Sequence, residues 1–290
     1  MSTVSFIGLG VMGYPMAGHL HQKGHQVTVY NRSSQKAQDW LKQFPQGKIA
    51  YTPQEAAAQS DFVLMCVGND QDIRSVVYGE EGILAGLRAG SLLIDHTTAS
   101  ADIAHEISAA CALQQAAFID APVSGGQVGA EKGQLTVMCG GDEHQFKLAQ
   151  PILQCFAKAV TLMGGHGMGQ LTKMVNQICI AGIVQGLSEA LHFSQQAGLD
   201  GHLVLEVISK GAAQSWQMEN RGKTMLEDKF DFGFAVDWMR KDLNLVLDEA
   251  RKNGSTLPLT ALIDQFYADV QQLGGGRWDT SSLIRRLSKS

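Results

Sequence analysis

Paired cysteines, clustered histidines, an excess of basic charge and a long uninterrupted apolar run are all missing from this 290-residue sequence. The five cysteines (Cys66, Cys111, Cys139, Cys155 and Cys179) are odd in number, scattered and without CxxC spacing, which argues against a disulfide framework, a zinc site or dithiol redox chemistry. They read as buried, reduced thiols. The nine histidines include no HExxH pair and no compact cluster with carboxylates, so no metal requirement is expected. A formal net charge of −5 removes nucleic acid from the expected partners, since phosphate binding needs clustered Lys and Arg. No apolar run approaches the ~20 residues of a bilayer span, and Met1-Ser2-Thr3-Val4 carries neither a basic segment nor a cleavage site. A cytoplasmic protein without membrane contact is expected.

What remains is ordinary globular composition, 44% hydrophobic and 18% charged, in a chain long enough for two domains that each bury a core. Apolar, β-branched runs at 3–7, 27–30, 62–66, 91–94, 117–119, 135–138 and 160–162 alternate mostly with helix-like segments, which predicts an α/β half built on a doubly wound sheet. From about Gly167 the strands stop and 3.6-residue periodicity takes over at 171–197, 236–252 and 257–273, predicting an all-α half. The expected domains are 1–163 and 164–290. The proline-free stretch Gln170 to Ala197 would form a helix about 40 Å long joining them. Gly182 and Gly186 inside it suggest close packing of another element.

Gly8-Leu9-Gly10-Val11-Met12-Gly13 matches GxGxxG directly after a predicted strand and before a predicted helix, the context in which the motif binds a dinucleotide pyrophosphate. The N-terminal half is thus expected to be a Rossmann domain. NAD-binding versions place an acid at the end of the second strand, where this chain has Tyr30-Asn31-Arg32-Ser33-Ser34. With the acid absent and Arg32 flanked by Asn31 and Ser33, a 2′-phosphate gains a charge-assisted partner, so NADP(H) is expected in preference to NAD(H), which stays possible. The alternative is a solvated Arg32 with Asn31 capping the next helix. Cys66, Val67 and Thr98, at later strand ends, are expected on the same crevice.

Asp120-Ala121-Pro122-Val123-Ser124-Gly125-Gly126 combines a rigid proline with a hydroxyl and two flexible glycines, a loop able to offer backbone N–H donors to a carboxylate. Further on, Gly167-Met168-Gly169-Gln170-Leu171-Thr172-Lys173-Met174-Val175-Asn176-Gln177 sets Lys173, Asn176 and Gln177 on one helix face at i, i+3 and i+4. Reduction of a carbonyl needs a hydride and a proton for the developing alkoxide, and Lys173 can supply that proton. A free lysine titrates near ~10.4, so the reverse reaction requires desolvation or a positive neighbour.

These motifs, with Gly129 and Lys241-Asp242-Leu243, resemble the β-hydroxyacid dehydrogenase family, which includes 3-hydroxyisobutyrate dehydrogenases and tartronate, glyoxylate or succinic semialdehyde reductases. The resemblance covers essentially the whole chain. It implies NAD(P)-dependent interconversion of a small hydroxyacid and its semialdehyde. Ser124, Gly125 and Gly126 then bind substrate, Lys173 is the acid/base, Lys241 reaches the cofactor and Phe234 covers the nicotinamide side. Many relatives have asparagine four residues after the lysine; here Gln177 stands there and Asn176 precedes it, so either amide is a candidate for holding substrate. Rival interpretations are an imine reductase-like enzyme, which generally replaces this lysine, and a catalytically inactive nucleotide-binding sensor or scaffold. The apolar helical half suggests a homodimer or homotetramer.

Overall fold

The computed structural model describes residues 1–287; residues 288–290, the end of the expected helical domain, lie outside the described residues. The chain divides into two compact units, Met1–Lys173 and the residues from Met174 onward. In the first unit the strands are β1 (Thr3–Ile7), β2 (Gln26–Tyr30), β3 (Lys48–Ile49), β4 (Phe62–Met65), β5 (Leu92–Asp95), β6 (Ala117–Asp120), β7 (Val123–Ser124), β8 (Leu135–Gly141) and β9 (Ala157–Gly164). Between them run α1 (Gly13–Gln22), α2 (Ser34–Gln43), α3 (Pro53–Ala58), α4 (Asp70–Val77), α5 (Ile83–Gly86), α6 (Ala101–Leu113), α7 (Gly126–Glu131) and α8 (Glu143–Leu153).

One sheet results, in the order β3-β2-β1-β4-β5-β6-β8-β7 with β9 beside β8. Strands β3 to β6 in that order are parallel, while β8 runs antiparallel to β6 and β7. Successive strand residues enter opposite cores: Leu64, Leu92 and Ile94 join one apolar cluster, Val63, Met65 and Leu93 the other. Burial on both faces is why these strands read as continuous apolar runs rather than alternating ones. Strand order reverses between β1 and β4, and ligands of such sheets bind beyond the carboxyl ends at that point.

Helix α9 (Met168–Gln196) begins in the first unit and continues into the second. It is followed by α10 (Gly201–Ile208), α11 (Trp216–Leu226), α12 (Val236–Asn253), α13 (Pro258–Gln272) and a 3₁₀ turn, Thr280–Arg286. The second unit buries Ala181, Val184, Met239, Leu243, Ile263 and Tyr267 in one cluster, and Leu187, Leu191, Met218 and Phe230 in another. Pro258 starts α13, where its missing N–H costs nothing, and Gly254 ends α12 in a left-handed conformation at φ 77°.

Two sequence-based expectations need amending. Only Cys111 and Cys139 are buried; Cys66 and Cys155 are half-buried and Cys179 is exposed. A Cβ on Gly182 would meet Leu259 at an ordinary 3.6 Å and one on Gly186 would meet nothing within 4 Å, so close packing does not account for either glycine. Helix α9 is long and apolar enough to match a membrane span, at a mean hydropathy of 1.2. Its buried residues nevertheless include Lys173, Gln177, Gln185 and Ser188, polar groups that a helix inside a protein can satisfy and a lipid-facing one cannot.

The carboxyl edge of the sheet is tied to the start of α9 by buried acids. Asp120, at the end of β6, accepts hydrogen bonds from the backbone N–H groups of Gly167 (2.8 Å) and Gln170 (3.0 Å). A carboxylate suits these first-turn donors, which have no partners within the helix. Gly169 is required there: a Cβ would press on the Asp120 carboxylate and on the backbone carbonyls of Asp120 and Met138. Asp95, at the end of β5, accepts from the Thr97 N–H at 2.8 Å, and His96 Nδ1 donates to the Ala121 carbonyl at 2.7 Å. Burial pushes Asp95 up to about 7 and Asp120 up to about 6, and holds His96 neutral by lowering it to about 4.

A carboxyl group whose folded pKa is raised stabilises the fold below its ordinary pKa and loses that contribution as pH climbs through the folded value. Asp95 therefore weakens the protein between about pH 4 and about pH 7. Asp95→Asn retains an acceptor for Thr97 without the titration. In thermal melts, the variant's melting temperature relative to the native protein should rise as pH increases from about 4 to about 8; a difference that is flat or falls contradicts the assignment.

Candidate active site

The turn after β1 crosses directly over β4. Gly8 has φ +96°, and a Cβ there would overlap the Cys66 carbonyl oxygen; one on Gly13 would overlap the Gly8 carbonyl and the Phe6 ring. Sequence alone assigned Cys66 to the crevice, and the structure places its backbone against this turn. By contrast, a Cβ on Gly10 would meet nothing within 4 Å. That open position, beside exposed Val11 and half-buried Met12 at the start of α1, is what close approach of a pyrophosphate to the backbone requires, so these residues fit a dinucleotide. A groove of about 610 Å³ opens from Leu9, Gly10 and Val11 and is lined also by Tyr14, Lys36 and Gln127.

Asn31 is a brace. Its Oδ1 accepts from the Leu9 N–H at 2.8 Å, and its Nδ2 donates to the Ser33 carbonyl at 3.0 Å, holding the glycine-rich turn and the β2–α2 loop together. Ser33 occupies the N-cap position of α2 without making a side-chain cap, and Arg32 is exposed beside it. No ion pair engages Arg32 among the described residues. On the next loops, the Val67 N–H donates to Thr97 Oγ1 at 3.0 Å, and half-buried Thr98 follows β5.

Pro122 leads into β7, which pairs Ser124 with Thr136 of β8, where sequence alone suggested only a loop. Gly125 (φ +131°) and Gly126 (φ +62°) then turn the chain into α7, with half-buried Ser124 just before them. Lys173 lies in the second turn of α9 and is only 7% exposed. The first unit thus carries the glycine-rich turn, Cys66, Val67 and Thr98 at its strand ends, the Ser124 loop, and Lys173 on a helix anchored to Asp120.

In the second unit, Gln177 and Lys241 meet at one buried acid, and Asn176 is linked to it through Gln177. Asn176 Nδ2 donates to Gln177 Oε1 at 2.7 Å, and Gln177 Nε2 donates to Asp242 Oδ2 at 2.6 Å. The Lys241 ammonium pairs with Asp242 Oδ1 at 2.9 Å. Both faces of the Gln177 amide are thereby engaged, while Asn176 is half-buried. Local sequence gives Asp242 no distinguishing signature, because its partner Gln177 lies 65 residues away. Phe234 packs beside the core of Val236, Met239 and Leu243, and its N–H donates to Asp279 at 2.9 Å. No cluster of three or more metal-ligating side chains occurs among the described residues.

Residues 3–165 match the NAD binding domain of 6-phosphogluconate dehydrogenase, and residues 167–287 match the NAD-binding of NADP-dependent 3-hydroxyisobutyrate dehydrogenase. The probable 3-hydroxyisobutyrate dehydrogenase-like 1 of Arabidopsis thaliana is 40% identical over 287 residues, covering 99% of this chain and 85% of that protein. The 2-hydroxy-3-oxopropionate reductase of Escherichia coli K12 is 33% identical, covering 98% and 96%. Among solved structures, the 3-hydroxyisobutyrate dehydrogenase of Mycobacterium tuberculosis with L-serine superposes at a TM-score of 0.88 and 29% identity over the whole of both chains. With both units matched in order along nearly its full length, the chain belongs to the β-hydroxyacid dehydrogenase family.

Proposed function

We propose that this chain, an NAD(P)-dependent oxidoreductase interconverting a small hydroxyacid and its semialdehyde, uses Lys173 as its acid/base and prefers NADP(H). The observation that carries the assignment is Lys173 itself, a buried lysine on a helix whose first turn is fixed to the strand edge that carries the substrate loop. A bound nicotinamide supplies or accepts the hydride. Lys173 gives a proton to the carbonyl oxygen during reduction and takes it from the hydroxyl during oxidation. The backbone N–H groups around Ser124, Gly125 and Gly126 hold the substrate carboxylate. Because Gln177 is engaged on both sides, Asn176 is the amide we assign to the substrate, with Gln177 and Asp242 fixing its direction. Lys241 and Phe234 are assigned to the cofactor side.

For the cofactor, support comes from the end of β2. Asn31 braces the loop and leaves Arg32 and Ser33 exposed at the start of α2, where a 2′-phosphate would meet a guanidinium, a hydroxyl and helix N–H groups. The small acid itself, whether glyoxylate-, succinic semialdehyde- or 3-hydroxyisobutyrate-like, follows from the carboxylate-binding loop only as a class.

Lys173→Ala should lower kcat by at least ~100-fold, the usual scale for removing a general acid/base, with NADPH binding, read by fluorescence titration, nearly unchanged. Near-normal turnover would end the mechanism. Arg32→Asp should raise KM for NADPH selectively, by ~10-fold or more for loss of a charge-assisted contact, and leave NADH little affected; equal effects on both would refute the NADP assignment. Val175, Ile183, Phe193, Leu259 and Leu262 are exposed in the second unit, an apolar surface we assign to pairing between copies. Light scattering at micromolar concentration should give a dimer or tetramer, and Phe193→Glu should weaken it; a monomeric native protein overturns this assignment.

A further inference from the structure

Gln170 is a polar side chain in the first turn of α9, 1% exposed and one turn before Lys173. Its backbone N–H donates to Asp120 Oδ2 at 3.0 Å. Its carboxamide turns to the loop after β5: Oε1 accepts from the Ala99 N–H at 3.0 Å, and Nε2 donates to the Thr97 carbonyl at 2.7 Å. These two backbone groups flank Thr98. Thr97 is held in turn, its N–H on Asp95 at 2.8 Å and its Oγ1 receiving the Val67 N–H at 3.0 Å. One residue therefore connects the ends of β4, β5 and β6 to the turn that leads to Lys173.

Hydrogen bonds of this kind add little net stability, because the unfolded chain makes equivalent bonds with water. Their effect is directional. The amide reads both a donor and an acceptor of the same loop, a two-point contact that fixes both the rotation and the height of the helix turn. Lys173 follows three residues later, about 4.5 Å along the axis, so a small slip at Gln170 is carried to the lysine stem.

We infer that Gln170 is a positioning residue that registers the Lys173 turn against the Thr97–Ala99 loop, so that the acid/base and the cofactor-side loop keep a fixed spacing. The inference rests on Lys173 being the acid/base, as proposed above.

The test compares Gln170→Leu, Gln170→Glu, Lys173→Ala and the double variant Gln170→Leu/Lys173→Ala in the full-length protein. Gln170→Glu has the same shape, keeps an acceptor for Ala99 and loses the donor to Thr97, which covers the case in which the leucine variant fails to fold. Misplacement of a reacting group by ~1 Å costs on the order of 100-fold. Each Gln170 variant should thus lose roughly 10- to 100-fold in kcat, while the Kd for NADPH, by fluorescence titration, shifts less than about 3-fold. Hydrogen exchange should quicken at residues 97–99 and 167–173. Once Lys173 is gone, removing Gln170 should slow the residual reaction no further, since groups acting as a unit are not additive. If Lys173→Ala is slow but the Gln170 variants keep full kcat, or if Gln170→Leu slows Lys173→Ala by the same factor as it slows the native enzyme, the positioning role is overturned and the acid/base assignment stands. Near-normal turnover of Lys173→Ala overturns the acid/base assignment, and the positioning role with it.

Discussion

A carboxylate buried at the end of β6 sets the geometry of everything downstream. Asp120 needs donors because it is shut away from water, and the first turn of α9 needs an acceptor because its N–H groups have no partners in the helix. The bonds from Gly167 and Gln170 meet both requirements at once. The Gly167-Met168-Gly169 sequence follows from this: Gly167 takes φ +82° and Gly169 leaves no Cβ between helix and acid. Lys173 consequently emerges from a turn that is fixed to the sheet, not from a free helix end. The arrangement carries a cost, since burial and the charge of Asp120 both raise Asp95, so the edge that organises the site also holds two acids that would be more stable in water.

Much of this was legible in the sequence, and the parts that were not have a common cause. Strands buried on both faces gave continuous apolar runs at β1, β4, β5, β6 and β8, and β2 and the largely exposed β9 stood out by their β-branched residues, whereas β3 and β7, two residues each, are too short for any periodicity to register. In the helical unit α9, α12 and α13 were visible from their stripes; α10 is only 8 residues long and α11 is mostly polar, so neither gave an apolar stripe long enough to register. The glycine-rich turn was readable because its residues are contiguous, with Gly8 and Gly13 each required sterically. Gln170 was not, because its partners are 50, 71 and 73 positions away and a lone glutamine has no local signature. Asn31 shows the same limit: its position suggested a cofactor contact or a helix cap, and the structure shows a strap between two loops.

The two amides after Lys173 illustrate how a local substitution is absorbed by a distant group. Glutamine is one methylene longer than asparagine, and at position 177 the extra reach meets Asp242, which also holds the Lys241 ammonium. An acid paired with a cation and an amide is tolerable in a buried place where an acid alone would not be. The NH₂ of Asn176, the amide proposed for the substrate, is aimed by Gln177. Orientation passes along the chain Asp242, Gln177, Asn176 in the second unit as it passes along Asp120 and Gln170 toward Lys173 in the first.

The central claim is hydride exchange between a nicotinamide and the carbonyl carbon of a small carboxylate-bearing aldehyde. NADPH carrying deuterium at both C4 positions of the nicotinamide, incubated with the purified protein and a panel of short semialdehydes, tests it most directly. Mass spectrometry should find a hydroxyacid product with a single deuterium on its carbinol carbon, formed faster from NADPH than from equally labelled NADH. No labelled hydroxyacid from any aldehyde in the panel would contradict the account.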